Sequence, residues 1–175
     1  MKRILMMALA FTMLLAGCST EVAEYRQQQP RLDIFHYFQG KTEAWGMVQD
    51  RSGKQIRRFH VEIAGDVIGD TLTLNEHFVY DDGKKQQRVW HIRRVGNDRY
   101  EGTAGDIDGV ATGQAAGNAF NWHYSMNVKA NGSTWLLKFD DWMYLQDETH
   151  LFNKTEMKKF GVTVATVTLF FTRKT

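Results

Sequence analysis

A chain of 175 residues with 22 Lys and Arg against 20 Asp and Glu, one cysteine and one proline has the size of one ordinary domain, which buries about 68–70 per cent of the surface its unfolded chain exposes. The near-neutral balance excludes the basic surplus that nucleic-acid binding requires, and a lone cysteine excludes an internal disulfide framework. Aromatic content of 13% with scarce proline favours a sheet protein with bulky core residues.

The chain begins with Lys2 and Arg3, an apolar run from Ile4 to Leu15, and then Ala16, Gly17 and Cys18. Spanning a bilayer takes about 18 or more apolar residues. This shorter run breaks at small residues before polar Ser19, Thr20 and Glu21, the build of a secretory leader rather than a membrane helix. Leu15-Ala16-Gly17-Cys18 resembles the bacterial lipobox, in which the thiol is acylated, the leader is cut off before the cysteine, and the new amino terminus is acylated too. The expectation is a leader over residues 1–17 and a chain held to a membrane by lipid on Cys18, several acyl chains holding firmly where a single one binds marginally. Ser19 stands where an aspartate would retain such a protein at the inner membrane, so the periplasmic face of a Gram-negative outer membrane is the expected location. Lys2 and Arg3 leave with the leader, no acidic residue does, and the remaining charges balance. With its thiol lipidated, the chain has packing alone to hold its fold, although the periplasm permits disulfides.

From Glu21 to about Arg31 the sequence is polar, with Gln27-Gln28-Gln29-Pro30 showing neither periodicity nor apolar content, and residues 18–31 read as a lipidated tether before a single domain over 32–175. Beyond Leu32 the punctuation is regular: Asp50 to Gly53, Gly65-Asp66, Asp81-Asp82-Gly83, Gly96-Asn97-Asp98, Gly117-Asn118 and Asn131-Gly132, several of them hairpin signals. Stretches of roughly 8–12 residues with period-two alternation separate them, the spacing of an antiparallel sandwich or barrel. Leu72, Leu74, Glu76, Phe78 and Tyr80 share one face, as do Arg88, Trp90, Ile92 and Arg94 after the next turn. Phe120, Trp122, Tyr124, Met126 and Val128 alternate with polar residues, and after Asn131-Gly132 the face of Trp135, Leu137, Phe139, Asp141, Met143 and Leu145 pairs with them as a hairpin. About eight to ten strands in antiparallel meander order follow. Glycines at 102, 105, 109, 113 and 117 mark bends or close approaches of the kind barrel corners require.

In these registers Glu76 and Asp141 sit on otherwise apolar faces, and Arg88 and Arg94 share faces with Trp90 and Ile92. A buried carboxylate must be paired, hydrogen-bonded or protonated. Because Asp140 and Asp141 are adjacent, one of them points to each face in any unbulged register. Three uses of such groups compete: an internal salt-bridge network, a site that orients a ligand's polar head in a small barrel, and general acid and base chemistry by a carboxylate pair. The histidines at 36, 60, 77, 91, 123 and 150 lack the spacing of a zinc site, and Asp106-Ile107-Asp108-Gly109 lacks the spacing and terminal glutamate of a calcium loop and reads as a turn. No metal or cofactor is expected. Nucleophile elbow and phosphate-binding glycine loop are both absent from the sequence.

The blocks Phe38-Gln39-Gly40, Ala44-Trp45-Gly46, Leu74 to Gly83, Arg88-Val89-Trp90, Gly117-Asn118-Ala119, Phe139 to Tyr144 and Asn153 to Val162 resemble the bacterial lipoproteins grouped as domain-of-unknown-function family 3833. The resemblance runs from about Leu32 to Arg173 and implies a Gram-negative lipoprotein with a lipocalin-like or calycin-like barrel. It carries no catalytic residues with it. Trp45 precedes Gly46, the reverse of the glycine-x-tryptophan order of true lipocalins.

The leading expectation is therefore an all-β, antiparallel meander barrel that binds a small amphipathic molecule, a fatty acid or other lipid, without turnover. Phe78, Trp90, Trp122, Phe139 and Met143 would form its apolar wall, while Glu76, Arg88, Arg94 and Asp141 would orient the head group. The alternative is a solid barrel that docks an envelope protein through its outer face, with Trp142 and Tyr144 opposite Asp141 as the candidate patch. A carboxylate-dependent enzyme stands third.

Overall fold

Ten strands run along the residues described in the computed structural model, 20–130 and 132–174; the leader, Cys18 and Asn131 lie outside them. In chain order they are β1 (Gly40–Asp50), β2 (Gln55–Ile68), β3 (Thr71–Tyr80), β4 (Lys85–Gly96), β5 (Arg99–Ala104), β6 (Ile107–Ala116), β7 (Ala119–Ala130), β8 (Ser133–Leu145), β9 (His150–Lys159) and β10 (Val162–Lys174). Each pairs antiparallel with its sequence neighbours, and β1 pairs with β10 from Lys41↔Lys174 to Asp50↔Ala165. The sheet is thus closed and leaves no edge strand unpaired.

The antiparallel order puts the β1–β2, β3–β4, β5–β6, β7–β8 and β9–β10 turns at one end, here called the mouth, and the others at the floor. Period-two patterning then fixes which side chains enter. In the β7–β8 hairpin Tyr124 faces Phe139 and Trp122 faces Asp141 across the ladder, so the alternating aromatic faces of both strands line the interior. Near this wall the barrel has no room for a side chain at residue 113: a Cβ on Gly113 would stand 2.3 Å from a ring carbon of Trp122.

The floor is closed by the segment that precedes β1. Asp33 caps a five-residue helix, α1 (Ile34–Phe38), its carboxylate accepting from the Phe35 amide at 2.9 Å. Such a helix is too short to stand alone; burial of Ile34, Phe35, Tyr37 and Phe38 holds it. The Tyr37 hydroxyl donates to the Thr149 carbonyl at 2.9 Å, and the Leu32 amide to that of Gly117 at 2.8 Å. Phe38 meets Phe171 edge-on at 5.8 Å. A Cβ on Gly65 would lie 1.8 Å from the Phe38 carbonyl oxygen, so β2 accepts the plug only because residue 65 is glycine.

Two expectations change here. The polar stretch before the domain is not a free tether along its length: Val22–Tyr25 forms a 3₁₀ turn against the outer wall, where Val22 is buried with Ala116 and Ala119. Tyr25 in turn covers the candidate docking patch, its ring 5.9 Å from Trp142 and 5.4 Å from Tyr144. Those two aromatics are half-buried under the chain's own N-terminal segment, because their exposed apolar surface is lowered in free energy by any apolar cover within reach.

Candidate functional site

Between the plugged floor and the mouth lies a cavity of about 900 Å³. It reaches the surface at the mouth, where lining residues Ile56 and Trp135 remain 57% and 45% exposed. Toward the floor it is bounded by Trp90, Phe120 and Trp122, and higher up by Phe59, Phe78, Phe139, Met157 and Val167. Glu76, Phe78, Arg88, Trp90, Trp122, Phe139, Asp141 and Met143 all line this one lumen.

Arg94 does not. It lies on the same face of β4 as Arg88, but two residues beyond Ile92, about 6.6 Å further along the strand, it has passed the core and reached the floor's outer rim. There its guanidinium pairs with Asp33 at 3.1 Å and sits 4.8 Å from the Phe35 ring centroid. Arg94 pins the plug and orients nothing in the lumen.

The polar cluster sits at mid-height. Glu76 and Arg88 face one another across the β3–β4 ladder, yet their closest charged atoms are 3.8 Å apart. Arg88 is committed elsewhere: its Nε lies 3.0 Å from both carboxylate oxygens of Asp106 and its Nη2 2.8 Å from one of them. Burial works against the guanidinium's charge, but the bonds to Asp106 and the charge of Glu76 outweigh it and raise its pKa further. Glu76 is left with a buried oxygen, Oε2, that has no hydrogen-bond partner. Burial raises this carboxyl from 4.5 to about 7, with Arg88 opposing the shift and Asp106 and Asp141 adding to it.

Asp141 belongs to the opposite wall. Its Oδ1 accepts from the Thr155 hydroxyl at 2.8 Å and from the Asn153 side-chain amide. Burial lifts its pKa from 3.8 to about 6 against those two donors. Its neighbour Asp140 shows the contrast that one residue of register makes. Pointing outward, Asp140 takes Lys158 Nζ at 2.8 Å and the Asn121 amide at 3.0 Å, and these lower its pKa despite some burial. That outer groove, beside Thr20 and Glu21, is polar and internally paired.

Asp106, Tyr124, Asn153 and Thr155 also line the lumen and are not among the candidates the sequence offers. The turn signal at Gly105-Asp106 hides that Asp106 faces a cation 18 residues upstream. Asn153 and Thr155 had a readable signal, since they alternate with Lys154 and Glu156 between Leu151 and Met157. Among the described residues no group of three His, Cys, Asp or Glu side chains converges as a metal site.

A closed ten-stranded antiparallel meander, plugged at one end and hollow toward the other, defines an all-β barrel of the calycin, lipocalin-like class. The S-type phycobiliprotein lyase CPES from Guillardia theta shares the architecture, with a TM-score of 0.58 over 81% of this chain and 90% of that chain. At 7% sequence identity the likeness is one of fold. The chain belongs to the family described as Protein of unknown function (DUF3833), whose model matches residues 12–173. No curated protein matches it.

Proposed function

We propose that this chain is a lipid-anchored lipoprotein of the outer membrane, facing the periplasm, whose barrel binds one small amphipathic molecule without chemical turnover. The observation that carries the binding reading is the cavity of about 900 Å³, within the range of pockets that take small ligands, about 300–1,000 Å³, which combine apolar walls with a few polar groups. The anchor rests on the leader and on Leu15-Ala16-Gly17-Cys18. A twelve-carbon chain buried at about 0.8 kcal/mol per methylene contributes roughly 9 kcal/mol before the cost of association, on the scale of the roughly 8 kcal/mol that micromolar affinity represents. Catalysis is the weaker reading: Arg88 and Asp106 hold each other, and Asp141 is tied to Asn153 and Thr155.

Native extraction and mass spectrometry of the chain released without lipid, by Cys18→Ser, test the reading. A co-purifying amphiphile of one copy per chain is the expected result. Repeated recovery of an empty protein that also fails to bind added dodecanol overturns it.

A further inference from the structure

We infer that the polar group received by this lumen is a hydrogen-bond-donating cation, such as the ammonium of an alkyl amine, held between Glu76 and Asp141; the inference rests on the ligand-binding reading above. The charges at mid-height are unequal. There three carboxylates, Glu76, Asp106 and Asp141, stand with one guanidinium, Arg88. Arg57, Lys129 and Lys159 also line the cavity, but at the mouth. Arg57 stacks 3.6 Å over Tyr80 beside Asp82, and Lys159 donates to the Leu136 carbonyl at 3.2 Å. Since Arg88 already gives Nε and Nη2 to Asp106, a fatty-acid carboxylate would enter a site whose one deep cation is engaged and whose surplus charge repels it.

Among the described residues the spare capacity at this height is Arg88 Nη1 and the Tyr124 hydroxyl as donors, and a carboxylate oxygen on each of Glu76 and Asp141 as acceptors. Glu76 Oε2 is buried with no donor, and Asp141 spends Oδ1 on two donors while Oδ2 takes no hydrogen bond from the described residues. β3 and β8 stand five strands apart in a ten-strand ring, so the two carboxylates belong to opposite walls of the lumen, within reach of each other's charge. An ammonium has three donors and no acceptor, which is the complement of that pair. Burial raises the pKa of both acids; a cation between them would lower it again, so amine binding and ionisation of the pair are linked, with Arg88, Asp106 and Tyr124 as the other groups facing them.

Calorimetric titration of the Cys18→Ser chain at pH 7.5 with dodecylamine, laurate and dodecanol, each below its micelle concentration, decides the question. Dodecylamine is expected to bind at least tenfold more tightly than laurate, with dodecanol between them. Glu76→Gln should weaken dodecylamine at least tenfold, and by more than it weakens dodecanol, and adding Asp141→Asn should bring laurate level with the amine. Laurate binding as tightly as dodecylamine to the unaltered chain, or amine affinity indifferent to Glu76→Gln, overturns the cation assignment while dodecanol binding keeps the ligand-binding reading. Failure of all three probes to bind overturns both.

Discussion

Replacing Glu76 by glutamine removes one proton-binding group from the lumen at nearly constant volume. Its carboxyl has an ordinary value of 4.5 and titrates at about 7 in the barrel. Below pH 4.5 it is protonated in the folded and unfolded chains alike, and its charge costs nothing. As pH rises through the interval between the two values, the unfolded chain gives up the proton first, and above 7 the folded chain bears the full cost of the buried charge. Stability contributed by the neutral carboxyl is therefore present at low pH and lost as pH climbs. Integrating the linkage relation from pH 5 to pH 8 gives a loss of about 2–3 kcal/mol. Glutamine cannot ionise, so the variant should match the parent below about pH 4 and gain about 2–3 kcal/mol on it between pH 5 and pH 8. Carboxylates held low by surface partners, Asp50 and Asp82 among them, are ionised in both states across this window, and Asp141, whose raised pKa of about 6 falls inside it, is present in both proteins. Urea denaturation at a series of pH values measures it, as a midpoint gain that grows by roughly 1 M between pH 5 and pH 8 for a slope of about 2–3 kcal/mol/M. A difference that does not change with pH, or one that favours the parent at pH 8, would refute the placement of a buried carboxylate without a hydrogen-bond donor inside the barrel.

Arg88→Met should destabilise the chain by about 3 kcal/mol in urea at pH 7.5, the lower end of the range for removing one partner of a buried pair, because Asp106 keeps 33% side-chain exposure; a loss below about 1 kcal/mol would contradict the pairing. Gly113→Ala sets a methyl 2.3 Å from Trp122 and 2.7 Å from Phe120, and overpacking of that kind costs about 1–3 kcal/mol, a fall of roughly 5 °C in thermal unfolding for a domain of this size. Val167→Trp, on the lumen wall away from the carboxylates, should reduce dodecanol affinity at least tenfold while shifting the melting temperature by less than about 3 °C; unchanged affinity would mean that the alcohol binds elsewhere.

The fold was legible where alternation was clean. From Ala119 to Leu145 every second residue states its side, which is enough to pair β7 with β8 and to send Asp141 inward and Asp140 outward. β10 carries no such statement: Val164, Ala165, Val167, Leu169, Phe170 and Phe171 are apolar on both faces, and its closure against β1 is a contact between chain ends that no local pattern encodes. Arg94 was assigned to the correct face and the wrong height, because period-two reading gives orientation and says nothing of how far along the barrel a residue stands. The floor plug is hidden in the sequence for a related reason. Five residues, Ile34 to Phe38, are too few to show helical period, and their helix depends on Asp33, Arg94 and Thr149, which come from three separate parts of the chain. Asp106 was read from its turn alone, whereas its role comes from Arg88, brought beside it by the β4–β5 pairing.

That the lumen is hollow and takes an alkyl chain is most directly tested by a crystal structure of the Cys18→Ser chain soaked with 12-bromododecanol, a neutral probe indifferent to the choice of head group. A bromine anomalous peak inside the barrel, with Phe59, Phe139 and Val167 around the chain, is the predicted result. Bromine found only on the outer wall, or a lumen closed by its own side chains, would contradict the account.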